Sequence, residues 1–461
     1  MMIFVLAVTP TAAAKDPSTH PTLGHIRTPA DARAEMVRLV NKFDLGQSMD
    51  QSKVPAEVQV LKKAIDEFQT LRDHLQNIPG AGLNLPIDRW LDLFYYHYRS
   101  KTYSATDRAA YLPATIVEKQ LATWKPLYSY ASIKTKKAKQ QQDKLLRRAL
   151  HHLIGYDNEP HRPLNPVISK RVDCGNHWRE HLTIETLPGE RVPGYLLLPK
   201  KVPLPAPAVI ALHQHAGEHR FGADEIIGLA GNQPQAQTYG SELVSRGYVV
   251  LALDALTFGQ RIDINENALE DKMLIIGRQP LGRIIWDDLR SVQYLLERPE
   301  VDPRRIACIG HSLGGTRSTY LAAMEPRIAA VAILCYISDF DSYRRERIDP
   351  PPTTRLLGVF RYAEMSDLLA LIAPRPLFVL NGKWDRTVPL NGFQRTMTAT
   401  EQTYRLLQAT EALHHELMPE HHAFPPRYHT IVFDWLDSKF HPKAPLSMLA
   451  PTPPPDNGSG N

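Results

Sequence analysis

Cysteine is scarce in this chain of 461 residues. The three cysteines, Cys174, Cys308 and Cys335, lie far apart and without CxxC spacing, which argues against a disulfide framework and against a thiolate zinc site. A dominant charge is also lacking, because 54 Lys and Arg face 49 Asp and Glu and leave a net charge of +5. Such a mild balance gives no electrostatic basis for a nucleic-acid partner, and we expect none.

Long apolar runs are missing as well. No stretch approaches the ~20 consecutive apolar residues of a transmembrane helix, so we expect no membrane span. Residues 1–15 resemble the remnant of a signal peptide, because Ala12-x-Ala14 has signal-peptidase spacing, although the basic segment that precedes such peptides is absent. An exported protein and a cytoplasmic protein with an apolar start both fit this pattern. Residues 441–461 are rich in Pro, Gly and Ser and are predicted to be a disordered tail.

Residues 25–156 are predicted to form a helical N-terminal region. Apolar residues recur there at spacings of three or four, which places them on one face of a helix. The clearest stripe consists of Val58, Leu61, Ile65, Phe68, Leu71 and Leu75. The alternation typical of strands is scarce in this region, but its role and its docking position do not follow from the sequence.

The pattern changes in residues 160–440, where short apolar strands alternate with amphipathic helices. The region begins with two predicted strands, Trp178–Thr186 and Val192–Leu198, which are joined by a turn. We expect them to form an antiparallel lead-in to the sheet. The later strands are apolar throughout, as expected where helices cover both faces of a parallel sheet. These strands are predicted at 208–213, 248–254, 306–309, 329–334, 377–380 and 414–418, with helices at 237–246, 284–296, 313–324, 393–407 and 427–440. The predicted class is α/β, with a doubly wound, mostly parallel sheet.

Ser312 is the candidate nucleophile. The strand at 306–309 leads into Gly310-His311-Ser312-Leu313-Gly314, a Gly-x-Ser-x-Gly motif, and a helical pattern begins directly after it. The glycines are needed because the turn between strand and helix is tight and strained. Ser312 is therefore expected to stand exposed at the carboxyl edge of the sheet.

A serine hydroxyl becomes a good nucleophile only when a histidine takes its proton and a carboxylate orients that histidine. In this strand-turn-helix arrangement the acid follows the serine in the chain and the histidine comes last. Asp385, just past the strand at 377–380, is the preferred acid, and Asp339 and Asp341 after the preceding strand are its rivals.

The base is predicted in the loop that follows the last short strand. Both His421 and His422 lie in this loop, and spacing alone does not choose between them. His429 is a weaker third candidate because it falls inside the pattern of the final helix.

Six further segments carry a resemblance to a known family. They are Arg191–Leu196, Leu212–Gly217, Asp254–Arg261, Trp286–Arg290, Arg298–Asp302 and Ala373–Pro376. Together with the serine motif they make residues 165–440 resemble the α/β-hydrolase superfamily, in its dienelactone-hydrolase and acetyl-xylan-esterase-like branch of bacterial serine esterases. In such families the base usually lies in a His-x-Phe sequence, which matches His422-Ala423-Phe424 and favours His422 over His421. The glycine that often precedes the base is replaced here by His421.

The resemblance also implies an oxyanion hole. It assigns one donor to the backbone N–H of Leu313, directly after the nucleophile. The second donor should come from the loop after the third strand, where the backbone of Gln214 and that of His215 are the two candidates.

Several side chains are candidates for the substrate pocket, with core packing as the alternative reading. They are Trp384, Phe258, Arg261, Trp286 and His421. Three histidines, at 213, 215 and 219, invite a metal interpretation, but no second acidic or histidine cluster lies at a suggestive spacing, and relatives of this segment work without metal. We therefore expect neither a metal nor another cofactor.

The function expected from these residues and this resemblance is a serine carboxylic-ester hydrolase with a Ser-His-Asp triad and an acyl-enzyme intermediate. Its partner would be a small-molecule ester, including carbohydrate and aryl esters, and the oligomeric state stays open. The alternatives are a serine peptidase of the prolyl-oligopeptidase type, a hydrolase of carbon–carbon bonds, and a non-catalytic binding module on the same fold.

Overall fold

The computed structural model describes residues 23–45, 55, 57–75, 87–102, 104, 106, 113–156, 159, 162–231, 237–346 and 350–440. The predicted signal-peptide remnant at 1–15 and the predicted tail at 441–461 lie outside these residues. In the part of the chain that is described, no helix combines the length and apolar character needed to cross a bilayer. The chain divides into two compact units, Met1–Trp124 and Lys125–Asn461.

The first unit is built from helices. They are α1 (Pro29–Lys42), α2 (Val58–Leu75), α3 (Ile87–Thr102) and α4 (Pro113–Thr123). Helix α1 begins with a capping box, in which the Thr28 side chain accepts from the backbone of Asp31 and the Asp31 carboxylate accepts from the backbone of Thr28. The predicted apolar stripe of α2 faces the core of this unit, where the ring of Phe68 meets that of Phe94 edge-on at 5.1 Å.

The second unit contains a nine-stranded sheet. Its strands are β1 (Val167–Asp173), β2 (His177–Leu187), β3 (Glu190–Pro199), β4 (Ala206–Leu212), β5 (Val249–Leu253), β6 (Val301–His311), β7 (Ala330–Leu334), β8 (Leu377–Gly382) and β9 (Leu413–Met418). Their order across the sheet is β1-β2-β3-β5-β4-β6-β7-β8-β9. Strands β1 to β3 pair antiparallel and β3 pairs antiparallel with β5, whereas the strands from β5 to β9 are parallel. The predicted lead-in is therefore confirmed, with β1 added at the edge.

Helices cover both faces of this sheet. They are α5 (Lys136–Ile154), α6 (Ala223–Ile226), α7 (Tyr239–Ser245), α8 (Glu266–Ile275), α9 (Pro280–Leu296), α10 (Leu313–Met324), α11 (Phe340–Glu346), α12 (Met365–Ile372), α13 (Leu390–Leu407) and α14 (His429–Phe440). One apolar cluster lies on each side, so the predicted doubly wound, mostly parallel class is confirmed. Helix α5 belongs to this unit, since Leu146 and Leu150 enter its core.

The parallel strands position the site. Because β4 to β9 run in one direction, the loops after them collect at one edge of the sheet, where open α/β sheets form their sites. These loops carry the histidine-rich segment after β4, the serine turn after β6, and the acid and base candidates after β8 and β9.

Candidate active site

Ser312 lies in a strained turn between β6 and α10, with φ 58° and ψ −116°. Glycine is required two residues before and two residues after Ser312, because other backbone atoms lie too close there for a Cβ. A Cβ added to Gly310 would lie 2.2 Å from the carbonyl carbon of Gly314, and one added to Gly314 would lie 2.0 Å from the carbonyl oxygen of Leu212. The turn therefore packs directly against the end of β4 and presents the serine at the carboxyl edge of the sheet.

The side chains of Ser312, His422 and Asp385 form a continuous hydrogen-bond chain. His422 Nε2 lies 2.8 Å from Ser312 Oγ, and His422 Nδ1 lies 2.6 Å from Asp385 Oδ2. The Asp385 side chain is fully buried, whereas that of His422 is 29% exposed. Asp385 Oδ1 accepts from the backbone N–H and the hydroxyl of Thr387, at 2.8 and 2.7 Å. A buried carboxylate with these donors is fixed in position and can orient an imidazole.

The rival acids have other partners. Asp339 accepts from Arg395 Nε at 2.6 Å, and Asp341 accepts from Arg344 Nε at 2.8 Å. Both carboxylates are therefore engaged in ion pairs, and it is Asp385 that meets the histidine at Ser312.

The rival bases also point elsewhere. Nδ1 of the exposed His421 lies 3.0 Å from the carbonyl oxygen of Trp384, and Nδ1 of the buried His429 lies 2.7 Å from Glu242 Oε1. Adjacent residues in the loop after β9 thus face different ways, and His422 is the one that reaches the serine.

The two oxyanion candidates after β4 differ in their backbone bonding. The N–H of Gln214 donates to Glu225 Oε1 at 3.0 Å, which engages it inside the protein. Among the described residues, none accepts a hydrogen bond from the backbone N–H of His215. Leu313 is the first residue of α10, so its N–H belongs to the unpaired donors at the positive end of a helix.

Buried titratable groups support this loop. Burial raises the pKa of Glu225 to about 8, against the lowering effect of the hydrogen bonds from Gln214. His311, next to Ser312, lies 2.9 Å through Nδ1 from the side-chain oxygen of Gln214, and burial holds its pKa well below the usual histidine range. Sequence reasoning missed Glu225 and Thr387 because hydrogen-bond partners that support a site carry no motif of their own.

Some of the candidate pocket residues lie at the surface, and others lie in the core. Trp384 is 52% exposed beside Asp385, and its ring centroid lies 5.9 Å from that of His421. Phe258, by contrast, is fully buried under the histidine-rich loop. Arg261 donates to Asp287 Oδ2 at 2.9 Å.

Trp286 lies in the large core cluster. Its indole N–H donates to the carbonyl oxygen of Thr186 at 3.0 Å, and its ring stacks on Tyr156 with centroids 5.6 Å apart. These contacts give it a packing role.

Among the residues that the structure describes, two groups of side chains bring metal-ligating atoms together. His215, His219 and Glu266 form one of them, and their ligand atoms lie within 4.8 Å of one another. The second group joins His311 and Cys335 to His422, and burial raises the pKa of the Cys335 thiol. The sequence drew attention to His215 and His219, but Glu266 lies 51 residues after His215, so local spacing gave no sign of this third side chain.

Comparison with protein families gives one match over most of the second unit. The model of the Abhydrolase family matches residues 96–421. The curated protein "Putative hydrolase YtaP" of Bacillus subtilis (strain 168) is 31% identical over 253 residues, which cover 54% of this chain and 83% of the relative.

Solved structures share the fold. A putative acetyl xylan esterase from Bacteroides fragilis NCTC 9343 superposes with a TM-score of 0.57 at 18% identity, covering 67% of this chain and 83% of the other. The methylesterase BT1017 superposes with a TM-score of 0.54 at 22% identity, covering 71% of this chain and 69% of the other. At these identities the likeness establishes the α/β-hydrolase fold.

Proposed function

The chain belongs to the Abhydrolase family, and on that premise we propose that it hydrolyses carboxylic esters through a Ser-His-Asp triad and an acyl-enzyme intermediate. The observation that carries this proposal is the hydrogen-bond chain from Asp385 through His422 to Ser312, with links of 2.6 and 2.8 Å. The strained turn exposes Ser312 at the end of this series of hydrogen bonds, which suits nucleophilic attack by its hydroxyl.

In the first half-reaction Ser312 Oγ attacks the ester carbonyl while its proton passes to His422 Nε2. Asp385 accepts the hydrogen bond from Nδ1–H and stabilises the imidazolium that forms. The tetrahedral intermediate then collapses with cleavage of the bond to the alcohol oxygen, and His422 gives its proton to that oxygen. The alcohol leaves and the acyl group stays on Ser312.

In the second half-reaction water replaces the alcohol. His422 takes a proton from the water as its oxygen attacks the acyl carbonyl. Collapse of the second intermediate breaks the bond to Ser312 Oγ, which recovers the proton from His422. The carboxylic acid leaves and the triad returns to its starting state.

Both intermediates place negative charge on the former carbonyl oxygen. We assign its stabilisation to the backbone N–H groups of Leu313 and His215, because the Gln214 N–H is already engaged by Glu225. One such donor contributes about 3 kcal/mol to the transition state, or ~10²-fold in rate.

The substrates proposed are small-molecule esters, including carbohydrate and aryl esters. The names of the two structural relatives make acetyl and methyl esters the first to test. We propose that the exposed Trp384 and His421, next to the triad, contact the substrate.

The first experiment is hydrolysis of p-nitrophenyl esters from acetate to decanoate by the wild-type protein and Ser312→Ala, with fluorophosphonate labelling of both. We expect turnover and labelling in the wild type only, and a loss of kcat on the order of 10⁶ in the variant. Near-normal turnover by a folded Ser312→Ala protein would overturn the mechanism.

The alternative functions predict different results. Labelling of Ser312 without cleavage of any ester would favour the peptidase or the carbon–carbon hydrolase. Failure of the folded wild-type protein to be labelled would favour a binding module.

A further inference from the structure

Three side chains from two separate segments converge at the edge of the sheet that carries the proposed triad. His215 and His219 lie in the loop after β4, and Glu266 is the first residue of α8. His215 Nε2 lies 3.1 Å from Glu266 Oε1, and His219 Nε2 lies 3.9 Å from the same oxygen. Two ring nitrogens and one carboxylate oxygen therefore face a common point, and no part of the proposed ester mechanism uses them.

The cluster is held by partners behind it. His219 Nδ1 lies 3.0 Å from the carbonyl oxygen of Thr257, which assigns the ring proton to Nδ1 and leaves a lone pair on Nε2. The His219 ring also stacks on Phe258, with centroids 4.3 Å apart and an interplanar angle of 11°. Glu266 Oε2 accepts from Thr353 Oγ1 at 2.8 Å, which directs Oε1 towards the histidines. Outer hydrogen bonds of this kind orient the ligands of metal sites.

Access and donor chemistry point to one class of ligand. The side chains of His215 and His219 are 16% and 25% exposed, so an ion can enter from solvent. Two imidazoles with one carboxylate form a three-ligand set of the kind that holds zinc with a position left open. A nitrogen-rich set favours transition metals over Mg²⁺ and Ca²⁺, which prefer oxygen.

We propose that His215, His219 and Glu266 bind one divalent transition-metal ion of the Zn²⁺ class at the edge of the sheet that carries the proposed triad. All three ligand atoms lie within 4.8 Å of one another, so small side-chain movements bring them to the ~2.0–2.2 Å bonds of such a site.

Occupation of this site is coupled to catalysis, a consequence that rests on the proposed function. His215 Nδ1 accepts from the N–H of Gly217 at 3.1 Å, so the neutral ring carries its proton on Nε2. A metal at Nε2 moves that proton to Nδ1 and breaks the bond to Gly217. The segment from His215 to Gly217 then rearranges, and with it the backbone N–H assigned to the oxyanion. Zn²⁺ is therefore expected to inhibit ester hydrolysis.

Binding is tested on the full chain after treatment with a chelator, by titration with ZnCl₂ against a chromophoric competitor. We expect one equivalent of Zn²⁺ per chain and no competition from MgCl₂. His219→Ala and Glu266→Gln should bind at least about tenfold more weakly. His414→Ala is the matched control, because His414 and Glu416 form a solvent-accessible pair 2.8 Å apart outside this cluster, and its removal should leave the affinity unchanged.

Either of two binding results overturns the site: a wild-type protein that binds no Zn²⁺, or affinities equal in wild type, His219→Ala and Glu266→Gln. Because Glu266→Gln preserves the shape of the side chain, it keeps the test valid if His219→Ala does not fold. This assay needs no turnover, so a failure of the proposed ester hydrolysis does not affect its outcome.

The inhibition is tested separately with a p-nitrophenyl ester. We expect Zn²⁺ to inhibit the wild-type protein and His414→Ala alike, and His219→Ala only at concentrations at least about tenfold higher. Equal inhibition of wild type and His219→Ala would place the inhibitory ion at the other group, where His311 and Cys335 lie beside His422, and would overturn the coupling.

Discussion

The backbone N–H of Gln214 donates to the buried carboxylate of Glu225 over 3.0 Å, and the Gln214 side-chain amide reaches the other carboxylate oxygen at 3.3 Å. Glu225 thus binds both the backbone and the side chain of Gln214, in the loop after β4. This arrangement turns the Gln214 N–H into the protein and leaves the neighbouring His215 as the proposed oxyanion donor. Glu225 is a positioning residue in that scheme.

The raised pKa of Glu225 predicts a specific pH dependence of stability. Burial raises its pKa from the ordinary 4.5 to about 8 in the folded state. Between these values the folded protein binds more protons than the unfolded chain, so the free energy of unfolding falls as pH rises and levels off above about pH 8. At ~1.4 kcal/mol per pKa unit the full loss is a few kcal/mol.

The substitution Glu225→Gln should remove this dependence. We expect urea unfolding to show that the variant loses less stability than the wild type between pH 6 and pH 9, by a few kcal/mol. Comparing the two pH values cancels any constant effect of the amide. Glu218→Gln removes an exposed carboxylate from the loop after β4 and should behave as wild type. Parallel pH dependences of Glu225→Gln and wild type would contradict the assigned pKa.

Kinetic measurements can test which of the two adjacent histidines, His421 or His422, acts as the base. His422→Ala should lower kcat on short p-nitrophenyl esters by a factor on the order of 10⁶, because no other base reaches Ser312 Oγ in the described chain. His421→Ala should retain kcat, with any effect confined to KM, since His421 faces Trp384. The reverse pattern would reassign the base.

Thr387 is expected to act through Asp385, the proposed catalytic acid. Its hydroxyl lies 2.7 Å from Asp385 Oδ1 and 2.7 Å from His422 Nδ1, so it helps to orient both groups. Thr387→Val should lower kcat about tenfold with little change in KM, because one hydrogen bond to a charged group is lost. Thr398→Val, at an exposed hydroxyl on α13, is the control for the same chemical change. A variant whose kcat equals that of this control would exclude the role.

The serine turn should not tolerate a methyl group. In Gly314→Ala the new Cβ would meet the carbonyl oxygen of Leu212 at 2.0 Å, which forces backbone to move. We expect a loss of at least about 2 kcal/mol of stability together with loss of ester hydrolysis. Gly24→Ala is the control, because its Cβ would have no neighbour within 4 Å. Thermal unfolding and p-nitrophenyl acetate assays compare the two, and an active, stable Gly314→Ala protein would contradict the close packing of the turn.

The sheet and the candidate nucleophile followed from the sequence because their signals are local. Apolar strands alternating with amphipathic helices predicted the doubly wound sheet, and the motif around Ser312 predicted its strained turn. Elements that are exposed or buried along most of their length do not show such a pattern, and they were missed. Strand β1 is an exposed edge strand, and α12 is apolar and buried along nearly all of its length, so neither has a clear polar and apolar face.

The sequence by itself determined which residue types stand at the site and in what order along the chain, including Ser312, Asp385 and the pair His421 and His422. The family resemblance favoured His422 over His421, but only the tertiary structure brought the His422 ring to the serine. It also decided which backbone N–H after β4 is engaged. It also brought Glu266 to His215 across 51 residues. The physical reason is that strand and helix patterns depend on neighbouring residues, whereas the direction of a side chain in a loop depends on partners supplied by distant segments.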